Sequence, residues 1–175
     1  MSCDISRGRL EPCKDSVGGL NAVYFVNKGD MGDVVYDVTD TDVIDSVEGT
    51  PAAYKFDIKG GSTYTENITS SRENGTTTFE QVLELQLTKL TKEDHKTVKL
   101  LAYGSPTVLI EDNNGNVFVA GLEHGLDVSG GTIVSGAAMG DMSGYTLTFS
   151  GMEKAPANFL GDTISAAGFS VTEGA

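Results

Sequence analysis

The chain has 175 residues, of which 39% are hydrophobic and 21% are charged, and its formal net charge is −13. This length and composition favour one globular domain that buries most of its unfolded surface without disulfides. The negative charge argues against a protein that binds nucleic acid by neutralising phosphates, because such proteins are basic. Solubility is the simplest reason for this charge, and a surface that lets DNA pass without adhering is the alternative.

The first 19 residues are polar and interrupted by glycines, and we expect them to be irregular. They contain both cysteines of the chain, Cys3 and Cys13. The N-terminus lacks the apolar core of a signal peptide, and no apolar run approaches the ~20 residues of a membrane span. We therefore predict a soluble intracellular product with two free thiols, with a disulfide closing a short N-terminal loop as the alternative.

Three strands are expected between residues 20 and 50. Residues 21–26 are almost entirely apolar, which predicts a central strand covered on both faces. Residues 34–36 and 43–47 are weaker strand candidates. The acids that surround these two candidates are Asp37, Asp40, Asp42 and Asp45. They lack the spacing and the glycine of a known calcium-binding loop, so we interpret them as a solvated acidic edge.

Residues 53–88 are predicted to form an antiparallel meander that ends in a long hairpin. Residues 53–59 alternate, Gly60-Gly61 turns the chain, and residues 62–69 form the next strand. The residues expected to face inward from the first of these strands are Tyr54, Phe56 and Ile58. Residues 76–88 then repeat with period two, which predicts a strand with one buried and one wet face. Its apolar face carries Phe79, Leu83, Leu85 and Leu87, and its other face carries Glu80, Val82, Glu84, Gln86 and Thr88.

A capped helix follows the long strand. Thr91 and Asp94 have the spacing of a capping box, with a short acid in place of the usual Glu, and they predict a helix from about Lys92 to Tyr103. We expect Gly104 to end the helix in the left-handed conformation, and Pro106 prevents its continuation.

The last third of the chain is predicted to be β-structure with glycine-rich turns. Asn114-Gly115, between the strand-like halves of residues 108–120, predicts a two-residue type I′ hairpin turn. Shorter strands are expected at residues 126–129, 132–135 and 145–150, with a flexible loop at residues 136–144. Residues 155–175 are expected to add a short strand or to pack as an arm on a neighbour.

No catalytic constellation is apparent in the sequence. It contains neither a Gly-x-Ser-x-Gly elbow nor a phosphate-binding Gly-Lys-Ser/Thr loop. His95 and His124 have no His or Cys at ligand spacing, so we expect no zinc site. Glu80 and Glu84 could form a glycosidase pair, but a solvated acidic strand face is the commoner arrangement. We therefore expect no enzyme, no cofactor and no bound metal, and a binding or structural role.

Two segments and the order of the elements carry a family resemblance. The order is a β-meander, a long strand, a helix after Thr91, a hairpin at Asn114-Gly115 and a late strand. Residues 140–149 read Gly-Asp-Met-Ser-Gly-Tyr-Thr-Leu-Thr-Phe, and residues 10–20 read Leu-Glu-Pro-Cys-Lys-Asp-Ser-Val-Gly-Gly-Leu. The chain resembles the tail tube proteins of tailed bacteriophages. Residues 140–149 resemble a strand entry that occurs late in that family, and residues 10–20 resemble the start of phage virion proteins. The resemblance extends from about residue 13 to residue 160.

The resemblance implies a mainly β fold of two packed antiparallel sheets, a β-sandwich or barrel, with one flanking α-helix. It implies a single domain over residues 1–175, in which 1–19 and 155–175 are candidate irregular arms. Six copies would form a ring, and rings would stack into a hollow tube whose channel is lined by a few long strands from each subunit. The partners would be other copies and other tail proteins. The protein would be made in the bacterial host cytoplasm and located in the virion tail, without a membrane anchor.

Charge and polarity select candidate surfaces for such a tube. Genomic DNA and an acidic channel wall repel each other, so DNA would pass without specific binding. The residues that we expect to face the channel are Glu80, Glu84 and Gln86. The residues that we expect to contact the next ring are Ser70, Ser71, Arg72, Glu73 and Asn74.

Two other classes of function remain open. A monomeric β-sandwich binding module, such as an adhesin or a carbohydrate-binding domain, would present an aromatic platform. The chain has six Tyr, seven Phe and no Trp, and most of the tyrosines alternate inward. An enzyme of unrecognised type is the third option. Within the tube interpretation, the tube of a contractile secretion or injection apparatus is a further alternative.

Overall fold

The computed structural model describes residues 3–58 and 60–174, and the chain is mainly β, with 45% of its residues in strands and 9% in a helix. Among the described residues, one α-helix, α1 (Lys92–Tyr103), lies between the first six and the last six strands. The strands are β1 (Leu20–Val26), β2 (Val34–Tyr36), β3 (Val43–Val47), β4 (Ala52–Asp57), β5 (Thr63–Ser71), β6 (Thr76–Thr88), β7 (Thr107–Asp112), β8 (Val117–Ala120), β9 (Asp127–Val134), β10 (Gly144–Glu153), β11 (Asn158–Leu160) and β12 (Ser170–Thr172). A short 3-10 turn follows β1 at Lys28–Asp30.

These strands form two sheets that pack together. The larger sheet has eight strands in the order β12-β4-β1-β7-β8-β11-β3-β2, and the smaller sheet has four in the order β5-β6-β10-β9. Two packed sheets with one flanking helix confirm the predicted fold class. The smaller sheet is antiparallel throughout, whereas the larger sheet contains two parallel pairs, β11 with β3 and β12 with β4.

A core lies on each face of the larger sheet. The central strand β1 is apolar on both faces, as predicted, because successive side chains enter different cores. Phe25 packs with Leu83 and Phe149 of the smaller sheet in the core between the sheets. Tyr24 packs with Phe169 in the other core, which the C-terminal segment helps to fill.

The helix has the predicted bounds and the predicted N-terminal cap. The Thr91 side chain accepts a hydrogen bond from the Asp94 N–H at 3.0 Å, and Val98 is buried in the core between the sheets. The predicted C-terminal conformation is wrong. Gly104 has φ −101° and its N–H donates to the Leu100 carbonyl, so the chain leaves the helix in an extended conformation that needs no glycine.

The β7–β8 hairpin is in the predicted place but has a different turn. Gly115 has φ +85°, and Asn114 is not among the residues with positive φ, so the turn is not type I′. The Asp112 carboxylate accepts hydrogen bonds from the Asn114 and Asn116 N–H groups, and the Gly115 N–H donates to the Asp112 carbonyl. The side chain of Asp112 thereby favours a three-residue connection with glycine at the left-handed position.

The predicted meander over residues 53–88 is wrong in its first half. Strand β4 belongs to the larger sheet and β5 to the smaller one, so the chain crosses between sheets near Gly60 and Gly61, which have φ of +64° and +66°. Only β5 and β6 form the predicted hairpin. Tyr54 was expected to face inward, but it is 42% exposed, whereas Phe56 of the same strand packs against the core between the sheets.

The C-terminal third also departs from two predictions. Residues 126–129 and 132–135 were expected to be separate strands, but β9 is continuous through Gly130 and Gly131. A Cβ on Gly131 would lie 2.4 Å from the Thr146 carbonyl oxygen, so this glycine permits close strand approach rather than a break. For residues 155–175 the expected short strand is confirmed and the candidate irregular arm is not, because β11 and β12 join the larger sheet and Phe169 enters its core, with Ala175 outside the described residues.

The N-terminal segment follows the prediction more closely. Residues 3–19 form no helix or strand, and most of their side chains are exposed. Cys3 and Cys13 are free and exposed, which confirms the preference for two thiols. Met1 and Ser2 lie outside the described residues. Among the helices that the structure describes, none is both long and apolar enough to cross a membrane.

Candidate assembly surface

The smaller sheet has one face in the core and one open face. Alternation along β6 places Leu83 and Leu85 in the core and Glu80 and Glu84 on the opposite face. The register places Thr63 and Thr148 beside Glu84. Apart from the buried Gly144 at the start of β10, the remaining residues of this face are exposed or half-buried, and we call this surface the open face.

The open face is rich in hydroxyl groups and has no positive charge. None of the strands β5, β6, β9 and β10 contains a lysine or an arginine. The hydroxyl-bearing residues that the register assigns to the open face are Thr63, Thr65, Thr69, Ser71, Thr76, Thr78, Thr88, Thr132, Thr146, Thr148 and Ser150. Its electrostatic character is therefore set by carboxylates among neutral polar groups.

Two of the three predicted channel residues are well presented on the open face. Glu84 is exposed, and Glu80 is half-buried and accepts a 3.4 Å hydrogen bond from the Asn67 amide. Gln86 lies on the same face but is held at the end of the sheet. Its backbone N–H donates to Ser62 Oγ at 3.1 Å, and its side-chain amide lies 2.7 Å from the Met142 sulfur. Of the three predicted channel residues, Glu80 and Glu84 are thus the better candidates to face a channel.

The predicted ring-contact residues form the tip of the β5–β6 hairpin. Ser70 and Ser71 end β5, Arg72 to Gly75 make the turn, and the Asn74 N–H donates to Ser71 Oγ at 3.3 Å. The hairpin extends beyond the core, because no residue from Asn67 to Glu80 is buried. Ile68 is 69% exposed on this extension, an apolar surface that contact with another chain would cover.

The smaller sheet also has two long edges. Its edge strands, β5 and β9, have 9 and 8 residues, whereas the edge strands of the larger sheet, β12 and β2, have 3 each. Proteins that remain monomeric usually protect long edges with lysine, proline or a covering segment. Strands β5 and β9 contain neither lysine nor proline.

The two long edges are suited to pair with each other in separate copies. Strand β5 is antiparallel to β6, β6 to β10, and β10 to β9. It follows that β5 and β9 run in opposite directions. If copies are related by rotation about a common axis, β9 of one copy therefore adds to β5 of the next as an antiparallel pair, and the smaller sheet continues from subunit to subunit.

A separate cluster of side chains was missed in the sequence. Among the described residues, one group of potential metal ligands comes together: Glu123, His124 and Glu153. Their ligand atoms all lie within 4.8 Å of one another. The signal in the sequence was Glu153, an acid in phase with the inward residues Tyr145, Leu147 and Phe149 of β10. The aspartates around β2 and β3 form no such group in the described chain.

Comparisons with known proteins gave no relative. No protein-family model, no curated protein and no solved structure matches the chain. The resemblance to tail tube proteins and its alternatives are therefore neither supported nor contradicted by a homologue. Function has to be inferred from the open face, the hairpin and the two edges of the smaller sheet.

Proposed function

We propose that the chain is the subunit of a hollow tube of the phage tail tube kind, built from stacked rings of six copies. The smaller sheet lines the channel with its open face, and it joins neighbouring subunits through β5 and β9. The observation that carries the proposal is that one small sheet has two long, oppositely directed edges without lysine or proline.

Edge pairing supports a closed ring rather than a simple dimer. The surfaces on β5 and β9 differ, so the contact between copies is heterologous, and such contacts give rings when the rotation closes. Four strands from each subunit enter the shared sheet. Closure removes every free edge of that sheet, which also removes its tendency to aggregate.

The charge of the open face supports a channel through which DNA passes. A wall with Glu80 and Glu84 and no basic residue on its four strands offers no counterion to phosphate. Adhesion of DNA to proteins depends mainly on such neutralisation. The chain as a whole, with its net charge of −13, adds to this repulsion.

The hairpin supports stacking of rings. Its tip carries Arg72 beside Glu73, both exposed, so it presents charges of both signs to another subunit. The exposed Ile68 adds an apolar contact on the same extension. With this composition, the projecting hairpin is better suited to contact another ring than to line a channel through which DNA passes.

Electron microscopy of the purified chain, together with light scattering at several concentrations, tests assembly. Rings or hollow tubes are expected. A chain that stays monomeric at every concentration favours the monomeric binding module instead, and a glycan-binding screen would then be the next measurement.

A matched pair of variants tests the role of the edge. Thr132→Lys places a lysine on the edge strand β9, and Thr148→Lys places the same residue on the same face of the neighbouring interior strand β10. Thr132→Lys should prevent assembly, whereas Thr148→Lys should leave it intact. Equal assembly of the two variants would contradict pairing through β9.

A further inference from the structure

The glutamate Glu153 is a carboxylate buried at the end of β10. Its side chain is only 6% exposed, and it lies on the inward side of the strand. An ionised carboxylate in such a place requires compensation by hydrogen bonds and positive charge. Among the described residues, its hydrogen-bond partners are two groups of His124: the backbone N–H donates to Oε1 at 2.9 Å, and the ring Nδ1 lies 3.2 Å from Oε2.

The turn that carries His124 is held firmly in place. The Gly121 N–H donates to the buried Gln81 side chain at 2.8 Å, and the Gly121 carbonyl accepts from the Thr107 hydroxyl at 3.1 Å. Gly125 has φ +77°, and a Cβ there would lie 2.4 Å from the Ser105 carbonyl oxygen. Both ends of the turn are buried, and the two residues between them that carry ligand atoms face solvent.

These two residues complete a set of three ligands. Glu123 and His124 have exposed side chains that can rotate, whereas Glu153 is fixed. Two atoms bound to one zinc ion at about 2.1 Å in tetrahedral geometry lie about 3.4 Å apart. The 3.2 Å between His124 Nδ1 and Glu153 Oε2 is close to that separation, and the ligand atom of Glu123 lies within 4.8 Å of both.

The surroundings of the cluster are acidic. A cavity of about 210 Å³ borders Glu123 and Glu153 and is also lined by Asp42. Burial, the hydrogen bond to Glu66 and the charges of Glu66 and Glu153 raise the pKa of the nearby Tyr64 hydroxyl. The exposed ammonium of Lys154 lies 3.6 Å from the Glu123 carboxylate. Exposed ion pairs of this kind contribute little to stability.

We propose that Glu123, His124 and Glu153 bind a divalent transition-metal ion of the zinc class. One imidazole nitrogen and two carboxylate oxygens suit Zn²⁺ and its neighbours, whereas Ca²⁺ and Mg²⁺ prefer oxygen ligands alone. The ion compensates the buried charge of Glu153 and ties the Gly121–Gly125 turn to the end of β10. The adjoining cavity leaves room for water molecules at the remaining coordination positions of the ion. The site does not depend on tube assembly.

Zinc binding is measured by competition with a chromogenic chelator, on the full chain without a polyhistidine tag. The thiols of Cys3 and Cys13 are exposed and would bind zinc themselves, so Cys3→Ser/Cys13→Ser is the background for every variant. One ion per chain is expected in this background, together with a zinc-dependent rise in melting temperature, because a ligand that binds only the folded state stabilises it.

Removal of one ligand should weaken zinc binding at least about tenfold. Loss of a residue that only hydrogen-bonds to a metal ligand already lowers metal affinity by about this factor. His124→Ala and Glu123→Gln change exposed side chains and should fold normally, and Glu153→Gln retains an oxygen for the His124 N–H. Glu84→Gln removes an exposed acid elsewhere and should leave affinity unchanged. Lys154→Ala removes the competing ammonium and should raise affinity up to about fivefold.

Three results would overturn the proposal. One is zinc affinity in His124→Ala equal to that of the background, which would show that any binding comes from scattered acids. Another is equal binding of Ca²⁺ and Zn²⁺, which would exclude a role for the imidazole nitrogen. Absence of zinc binding in the background protein would likewise refute the site and leave His124 and Glu153 as a hydrogen-bonded pair only.

Discussion

Reversal of charge on the open face gives the sharpest test of a DNA channel. Glu80→Lys/Glu84→Lys changes each subunit by four charge units, because each of the two substitutions changes the charge by two. The two positions lie four residues apart on β6, or about 13 Å along the strand, so both side chains can meet phosphates of one duplex. Since neither side chain is buried, the subunit should remain folded.

The expected effect on DNA binding can be worked from counterion release. Each phosphate that a lysine neutralises adds about 0.9 to the slope of log affinity against log salt. With six such contacts, one from each subunit of a ring, raising the salt concentration from 50 to 200 mM should lower the DNA affinity about 10³-fold. In the proposed tube, the wild-type chain should retain no DNA at either concentration, because the four strands of the open face carry no lysine or arginine.

Nuclease protection of a short duplex distinguishes the channel from the outer surface. Tubes of the double variant are incubated with the duplex at 50 mM salt, treated with nuclease and sedimented. Asp40→Lys/Asp42→Lys makes the same charge change in the turn between β2 and β3, outside the smaller sheet, and serves as the matched control. DNA bound by Glu80→Lys/Glu84→Lys should survive digestion. Digestion at the same rate as in the control would refute the assignment of the open face to the channel.

Three further predictions concern stability and are measured by urea denaturation. Thr91→Ala removes the helix cap and should lower the free energy of unfolding by about 1 kcal/mol. Gln81→Leu leaves the buried Gly121 N–H without its acceptor and should cost about 1–3 kcal/mol. Gly144→Ala places a Cβ 2.0 Å from the Leu87 carbonyl oxygen and should cost about 1–3 kcal/mol through strand displacement.

Each of these variants has a control in the same chain. Thr91→Ser keeps a hydroxyl cap and should restore most of the lost stability. Gly140→Ala introduces a Cβ with no heavy atom within 4 Å and should be nearly neutral. Thr78→Val changes a polar residue on the open face and should cost far less than Gln81→Leu. Equal losses in a variant and its control would contradict the stated mechanism.

Local patterns predicted the elements whose causes are local. The period-two run gave β6 with the observed bounds, Thr76–Thr88, and the cap at Thr91 gave the helix Lys92–Tyr103. The hairpin turn was placed correctly but typed wrongly, because the Asp112 carboxylate stabilises a conformation that the Asn-Gly pair alone does not specify.

Long-range pairing was not predictable from the same patterns. Strands β4 and β5 lie in different sheets. The local sequence does not predict this, because the Gly-Gly pair between them allows both a hairpin within one sheet and a crossing to the other sheet. The glycines within β9 were interpreted as a break, although one of them is needed where β9 and β10 approach closely. The cluster at His124 joins a turn to the end of a strand 29 residues away, so ligand spacing along the chain could not reveal it.

The two sheets of this chain treat their edges differently, and this difference bears on function. The larger sheet ends in two three-residue strands, and one of them, β12, is added by the folded-back C-terminal segment. The smaller sheet ends in strands of 9 and 8 residues with no lysine, proline or covering strand among the described residues. A monomeric binding module would gain solubility from a single lysine on either edge, and neither strand has one. The larger sheet therefore ends in short strands and the smaller sheet in long strands without lysine or proline, which fits a subunit whose smaller sheet is completed by its neighbours.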